Sequence, residues 1–213
     1  MSSRRAAFDE AVSHHRLVAV LRGVDGPGFA GMVEALLDSG VRIIEVACST
    51  PESLDQLAQL CRLAKGRAHV GAGTVLETGL AQAALEAGVE FLVTPHVAPD
   101  VIDFALRNDL GILCGAFTPT EIAQARAAGV RFIKLFPAST VGPDYVRALL
   151  GPYPDLELLV VGGIGSKNLA PYLEAGALGA GVGGSLTRLD AGDPSFGAVR
   201  REAKAVLEIL SPR

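Results

Sequence analysis

Cysteine is scarce in this chain, and the three present, Cys48, Cys61 and Cys114, are odd in number and lack C-x-x-C spacing. That pattern argues against both a disulfide framework and a zinc cluster. No His/Asp/Glu spacing resembles a metal site either: His14 and His15 fall on a predicted helix and His96 in a loop, so no metal is expected. The basic residues are scattered, nineteen Lys and Arg against twenty-three Asp and Glu, for a net charge of −4. Such a distribution leaves no electrostatic footprint for nucleic acid or an anionic membrane and points to small-molecule partners. There is no run of about 18 apolar residues to span a bilayer. The opening MSSRRAAFDEAVSHH meets Asp9 and Glu10 where a signal peptide needs its apolar stretch. Arg4-Arg5 is therefore not read as an export signal, and a cytoplasmic location is expected. Linker-like stretches rich in Pro, Gly and Ser or in charge are also missing, so residues 1–213 are expected to form one domain.

What is present is apolar and periodic. Hydrophobic residues make up 49% of the 213 positions and mean hydropathy is +0.36, enough to bury a full core. Eight short β-type runs alternate with helical segments: LVAVL (17–21), RIIEV (42–46), HVGAG (69–73), FLVT (91–94), GILCG (111–115), RFIKLF (131–136), LELLVV (156–161) and GAGVG (179–183). They are apolar on both parities, as strands covered on both faces must be. Thr118-Pro119-Thr120-Glu121 reads as a capping box with proline at the first helical position. Thr50-Pro51 and Asp193-Pro194 repeat the cap-plus-proline signal. Gly40, Gly88, Gly129 and Gly176 each sit where a helix needs a left-handed residue to stop before a strand. Their intervals of 48, 41 and 47 residues are about two β/α units each. Eight such units with short connections predict an α/β fold, a parallel (β/α)₈ TIM barrel, with a helix at about residues 4–15 capping its bottom. A flavodoxin-like open sheet needs only about five strands and leaves the rest unexplained.

In such barrels the reacting groups stand at the C-terminal ends of strands. Alternation in RFIKLFPAS puts Phe132, Lys134 and Phe136 on one face and Ile133 and Leu135 on the other. If the latter pair faces the helices, Lys134 points into the barrel, where desolvation favours a neutral amine able to attack a carbonyl. A buried structural ion pair with Glu45, or a lysine snorkelling from the strand end, satisfies the same pattern. Glu45, ending the second strand, is a carboxyl at an apolar mouth, where a raised pKa suits proton transfer; a salt-bridged strand end is its bland reading. VVGGIGS (160–166) and GVGGS (181–185) follow the last two strands, where barrels often hold phosphate, although glycines also simply close tight turns. Ser166 is placed to cap the following helix and Ser185 to offer a hydroxyl to the anion. Arg22 could fork onto a substrate carboxylate, and a solvated strand-end arginine fits equally. Thr74 brings a hydroxyl to the same mouth, Pro95 and Phe136 shape its apolar wall, and Cys48 and Cys114 read as packing residues.

The ordered set LVAVLRG, GVRIIEV, VGAGTVL, FLVTP, TPTEI, GVRFIKLFPAS, VVGGI and GAGVGGS covers nearly the whole chain. It resembles the 2-keto-3-deoxy-6-phosphogluconate and 2-keto-3-deoxy-6-phosphogalactonate aldolases and is similar to the 4-hydroxy-2-oxoglutarate aldolases. The resemblance implies a (β/α)₈ barrel, a homotrimer, and a class I aldolase of Entner–Doudoroff type without metal or cofactor, acting on a keto-acid phosphate. It makes Lys134 the Schiff-base lysine and Glu45 the acid/base, with Gly162, Gly163, Gly183, Gly184 and Ser185 on the phosphate. The gluconate branch carries an arginine four residues after the glutamate, where this chain has Ser49. The galactonate branch carries the LRG arginine, matched by Arg22, and a pattern matched by Ser49-Thr50-Pro51, whereas the GGS ending at Ser185 resembles the gluconate branch. Two further readings compete: a phosphosugar isomerase or epimerase using acid/base groups alone, and a barrel that binds a phosphometabolite without catalysis.

Overall fold

A computed structural model of the chain describes residues 3–24, 26, 28–50, 52–187 and 195–211. Helix α1 (Arg4–His15) leads into β1 (Leu17–Leu21), α2 (Gly28–Asp38), β2 (Ile43–Ala47), α3 (Ser53–Leu63), β3 (His69–Gly73), α4 (Thr78–Ala87) and β4 (Phe91–Val93). The second half continues with α5 (Pro99–Arg107), β5 (Gly111–Ala116), α6 (Pro119–Ala127), β6 (Phe132–Leu135), a 3₁₀ turn (Ala138–Thr140), α7 (Pro143–Leu150), β7 (Glu157–Val161), α8 (Leu169–Glu174), β8 (Gly179–Val182) and α9 (Gly197–Leu210). Each strand pairs in parallel with the next, and β8 pairs back onto β1, so the sheet closes into an eight-stranded barrel. This is the predicted (β/α)₈ architecture, not an open sheet. Strand ends fall within a residue or so of the apolar runs because the runs stop where the carboxyl ends meet the mouth.

Alternation divides the apolar residues between two cores. Leu17, Ala19, Ile44, Val46, Ile133 and Leu135 face the helices in the larger one. Val18, Ile43, Phe91, Val93, Leu113, Phe132 and Leu159 fill the barrel, joined by Phe8, Ala11 and Val12 of α1, which covers the bottom as expected. Phe8 stacks on Phe91 at 4.5 Å between ring centroids and meets Phe132 edge-on at 6.3 Å. Two glycines make room for these rings. A Cβ at Gly111 would lie 2.2 Å from the Phe8 ring and one at Gly71 2.3 Å from Phe91. Each buried phenylalanine contributes about 1.5–3 kcal/mol of transfer free energy, which a methyl group at either glycine would forfeit by displacement.

The helix stops are as expected: Gly40, Gly88, Gly129 and Gly176 all have positive φ, between 87° and 105°. Thr118 and Glu121 form the capping box of α6 with Pro119 behind them. Thr50 is not the N-cap that its place in the sequence suggests. Helix α3 begins at Ser53 behind Glu52, which supplies no side-chain cap. The Thr50 N–H donates to Ser53 Oγ at 3.1 Å, and Ser53 Oγ donates to the Ala47 carbonyl at 3.4 Å. The serine hydroxyl thus closes a turn ahead of the helix. Pro51 and the Asp193-Pro194 pair lie outside the described residues. Among the described residues no helix is long and apolar enough to cross a membrane.

Candidate active site

A cavity of about 1190 Å³ opens at the carboxyl ends of the strands. Lys134 enters it from β6 because Ile133 and Leu135 are claimed by the helix layer and Phe132 by the barrel core. The lysine is 7% exposed, with Nζ 5.2 Å from the centroid of the Phe136 ring. Glu45 enters from β2 at 2% exposure. Gly73 on the neighbouring strand admits it, since a Cβ there would lie 2.7 Å from Glu45 Oε1. Glu45 Oε2 is buried without a hydrogen-bond partner. Burial pushes this carboxyl above the ordinary carboxylate range, and the positive charges of Lys134 and Arg22 only partly oppose that. Lys134 and Glu45 are not joined by an ion pair within 4.0 Å, so the structural-pair reading of these two residues does not hold. What the fold assembles is an inward amine and an unsatisfied carboxyl sharing one cavity.

Arg22, following β1, is held at the same mouth. Its guanidinium donates to Thr74 Oγ1 at 3.0 Å and to Ser49 Oγ at 3.4 Å. Thr74 has φ 60°, a left-handed conformation that a β-branched residue adopts at a cost of about 1–3 kcal/mol. Ser49 thus braces an arginine from another strand. Pro95 and Phe136 line the wall. Cys48 and Cys114 carry thiols raised by burial, Cys48 to about 11, which suits packing rather than nucleophilic roles. Among the described residues no group of three or more His, Cys, Asp or Glu is arranged to hold a metal ion.

The far end of the cavity is built from the two glycine-rich turns. Gly162 and Gly163 have φ of 93° and 72°, so the backbone itself demands glycine there. Gly184 has no such φ and would have open space around a Cβ. Gly183 and Ser185 complete this wall. Asn168 clamps the first turn, accepting from the Gly165 N–H at 2.9 Å and donating to the Gly163 carbonyl at 2.8 Å. Ser166 does not cap α8, as its position suggested. Its N–H and hydroxyl donate to the two carboxylate oxygens of Glu202 at 2.9 and 2.7 Å, and the residue at the N-cap of α8 is Asn168. Ser185 Oγ is buried and makes no well-directed hydrogen bond, though it lies close enough to Glu202 to help keep that carboxylate ionised.

Sequence reading missed the contribution of α9. Ala198, Arg201, Glu202 and Ala205 line the cavity while Val199, Ala203, Val206 and Leu210 face the core. The spacing 198, 201, 202, 205 is one helical stripe, a signal present in the sequence but indistinguishable there from a solvated face.

A family model described as "KDPG and KHG aldolase" matches residues 8–195. The chain is 36% identical over 194 residues, 90% of its length and 89% of the relative's, to a protein of Rhizobium meliloti (strain 1021) named "Probable 2-dehydro-3-deoxy-6-phosphogalactonate aldolase". It is 33% identical over 176 residues, 81% of its length and 79% of the relative's, to the "2-dehydro-3-deoxy-phosphogluconate aldolase" of Pseudomonas aeruginosa. Among solved structures, one described as "Native KDPGal structure" superposes with a TM-score of 0.84 at 32% identity, covering 91% of this chain and 93% of that one.

Proposed function

Since this chain belongs to the KDPG and KHG aldolase family, we propose that it cleaves a 2-keto-3-deoxy-6-phospho sugar acid, of the gluconate or galactonate type, to pyruvate and glyceraldehyde 3-phosphate. The observation that carries this reading is the pairing of Lys134, turned into the barrel and free of an ion pair, with Glu45, whose buried carboxyl has an unsatisfied oxygen.

The Lys134 amine attacks the C2 ketone and forms a carbinolamine. Glu45, its affinity for a proton raised by burial, delivers a proton through water to the departing hydroxyl, leaving a cationic imine. The Glu45 carboxylate left by that transfer takes the C4 hydroxyl proton, which sends the C3–C4 bonding pair into the imine, giving an enamine and releasing glyceraldehyde 3-phosphate. Protonation at C3 and attack of water at C2 return the free lysine and pyruvate. Arg22, braced by Thr74 and Ser49, is placed to hold the substrate carboxylate, with Pro95 and Phe136 as the wall beside the keto acid. Gly162, Gly163, Gly183, Gly184 and Ser185 receive the phosphate, whose binding energy orients the bond that breaks. The same reading takes residues 1–213 as one unit of a homotrimer in the cytoplasm.

Reduction with borohydride in the presence of pyruvate tests the assignment. The expected result is a covalent mass increment on the peptide containing Lys134, absent in Lys134→Ala, whose pyruvate release in a coupled assay should fall by about 10⁴-fold or more because the covalent route is gone. Pyruvate release without any trappable adduct would replace this reading with acid/base chemistry alone.

A further inference from the structure

The two ends of the cavity each contain a carboxylate, and the far one stands where the substrate's phosphate is expected. Glu202 reaches from the second turn of α9 to the turn after β7, taking the N–H of Ser166 at 2.9 Å and its hydroxyl at 2.7 Å. The Gly165 backbone closes in on the same point: a Cβ there would lie 2.9 Å from Glu202 Oε1 and 2.8 Å from Ser185 Oγ. The two Ser166 donors, with the Ser185 hydroxyl beside them, therefore serve an anion that the chain itself supplies. Burial raises the proton affinity of Glu202, but the two hydrogen bonds from Ser166, the nearby Ser185 hydroxyl and the charge of Lys167 outweigh it and hold the group below the ordinary carboxylate range. At neutral pH the notch holds a negative charge.

A carboxylate and a phosphate are both acceptor-only anions, so they compete for the same donors, and bringing two like charges together is unfavourable. We propose that Glu202 is a specificity-determining residue: an internal anion that competes with the substrate's phosphate for the Ser166 and Ser185 donors, lowering the advantage of phosphorylated over unphosphorylated 2-keto-3-deoxy acids. The phosphate of a bound substrate displaces Glu202 toward the cavity opening. An unphosphorylated tail leaves the carboxylate in place and can donate a terminal hydroxyl to it. This rests on the aldolase reading for the substrates, but the competition for the notch is a property of the binding groups alone.

The test separates the two. Inorganic phosphate is titrated calorimetrically into the wild type, Glu202→Gln and Glu202→Ala, which reads the notch whether or not any sugar acid turns over. In parallel, kcat/KM is measured for a 2-keto-3-deoxy-6-phospho acid and for its unphosphorylated counterpart. The expected result is about tenfold or greater tightening of phosphate in both variants and a rise of similar size in the phosphorylated-to-unphosphorylated ratio, since the repulsion is removed while Ser166 and Ser185 remain. Unchanged or weaker phosphate binding in a Glu202→Gln variant that folds by circular dichroism would overturn the proposal and make Glu202 a structural tie between α9 and the turn. Glu202→Gln preserves the shape of the side chain and decides the matter if Glu202→Ala loosens the helix. Tightened phosphate binding together with no pyruvate adduct on Lys134 would retain the competition and remove the aldolase reading instead.

Discussion

Glu45 and Glu202 are the same side chain in one cavity, and their surroundings push them in opposite directions. Glu45 stands among apolar strands, where desolvation dominates and one oxygen finds no donor, so its proton is held more tightly than in water. Glu202 meets a serine that donates from backbone and side chain, and its proton is held less tightly. The contrast teaches that the role follows from the donors supplied rather than the residue type: a carboxyl left short of partners can carry protons, whereas one well supplied with donors is a fixed charge.

The sharpest way to break this comparison is to remove both charges with minimal change of shape. Glu45→Gln should lower kcat/KM by about 10²–10⁴-fold, the usual contribution of a positioned acid/base, while pyruvate trapping on Lys134 slows without vanishing. The stabilities should move apart. The unfolded chain ionises either group near 4.5. Because folding raises the pKa of Glu45, native protein loses stability as pH climbs from that value through the folded pKa, and the penalty is full above it. Glu45→Gln should therefore raise Tm near pH 7–8, by about 2–4 °C for each kcal/mol recovered, and this gain should fade toward pH 4. Folding lowers the pKa of Glu202, so its contribution is present above about 4.5 and is lost as pH falls through the folded value. Glu202→Gln should lower Tm at neutral pH. Thermal melts of the two variants across pH check both signs, and parallel shifts would erase the distinction.

Two glycines on β3 extend the comparison from the mouth to the barrel floor. Gly73 clears space for the Glu45 carboxylate and Gly71 for the Phe91 ring. Gly73→Ala displaces a reacting group, and a shift of about 1 Å can cost about 10²-fold in rate. Gly71→Ala overfills a packed core and should cost about 1–3 kcal/mol of stability while the folded fraction keeps most of its turnover. Denaturant titration alongside kcat separates the two. Equal effects on stability would mean that the carboxylate site is as tightly packed as the aromatic floor.

Much of this arrangement is legible in the sequence. Strand parity alone turns Lys134 and Glu45 inward, since Ile133, Leu135, Ile44 and Val46 need the helix layer. The helix-stopping glycines and the α6 capping box are local signals, set by φ and by a three-residue spacing, and they read correctly. The link between Ser166 and Glu202 spans 36 residues and leaves no trace in spacing. Ser166 accordingly read as a helix cap, the ordinary use of a serine before a helix. Thr50-Pro51 misled for a related reason: the hydroxyl that closes that turn belongs to Ser53, which the carbonyl of Ala47 engages from the strand behind it.

Cys48 gives the smallest expected effect and the finest probe of the reacting end. Its thiol is raised to about 11, first by burial and then by the charge of Glu45. A thiol so placed is protonated at neutral pH and should resist iodoacetamide there, and Cys48→Ala should keep kcat/KM within about twofold of wild type. With Cys61→Ser and Cys114→Ala in place, the pH profile of Cys48 alkylation reports the charge beside it. Adding Glu45→Gln removes that charge but leaves the burial, so the profile should move to lower pH while staying above the value of 9.0 for a free thiol. A profile that does not move would show that Glu45 carries no charge the thiol can sense at alkaline pH, and the contrast with Glu202 would then be one between a neutral acid and an ionised one throughout.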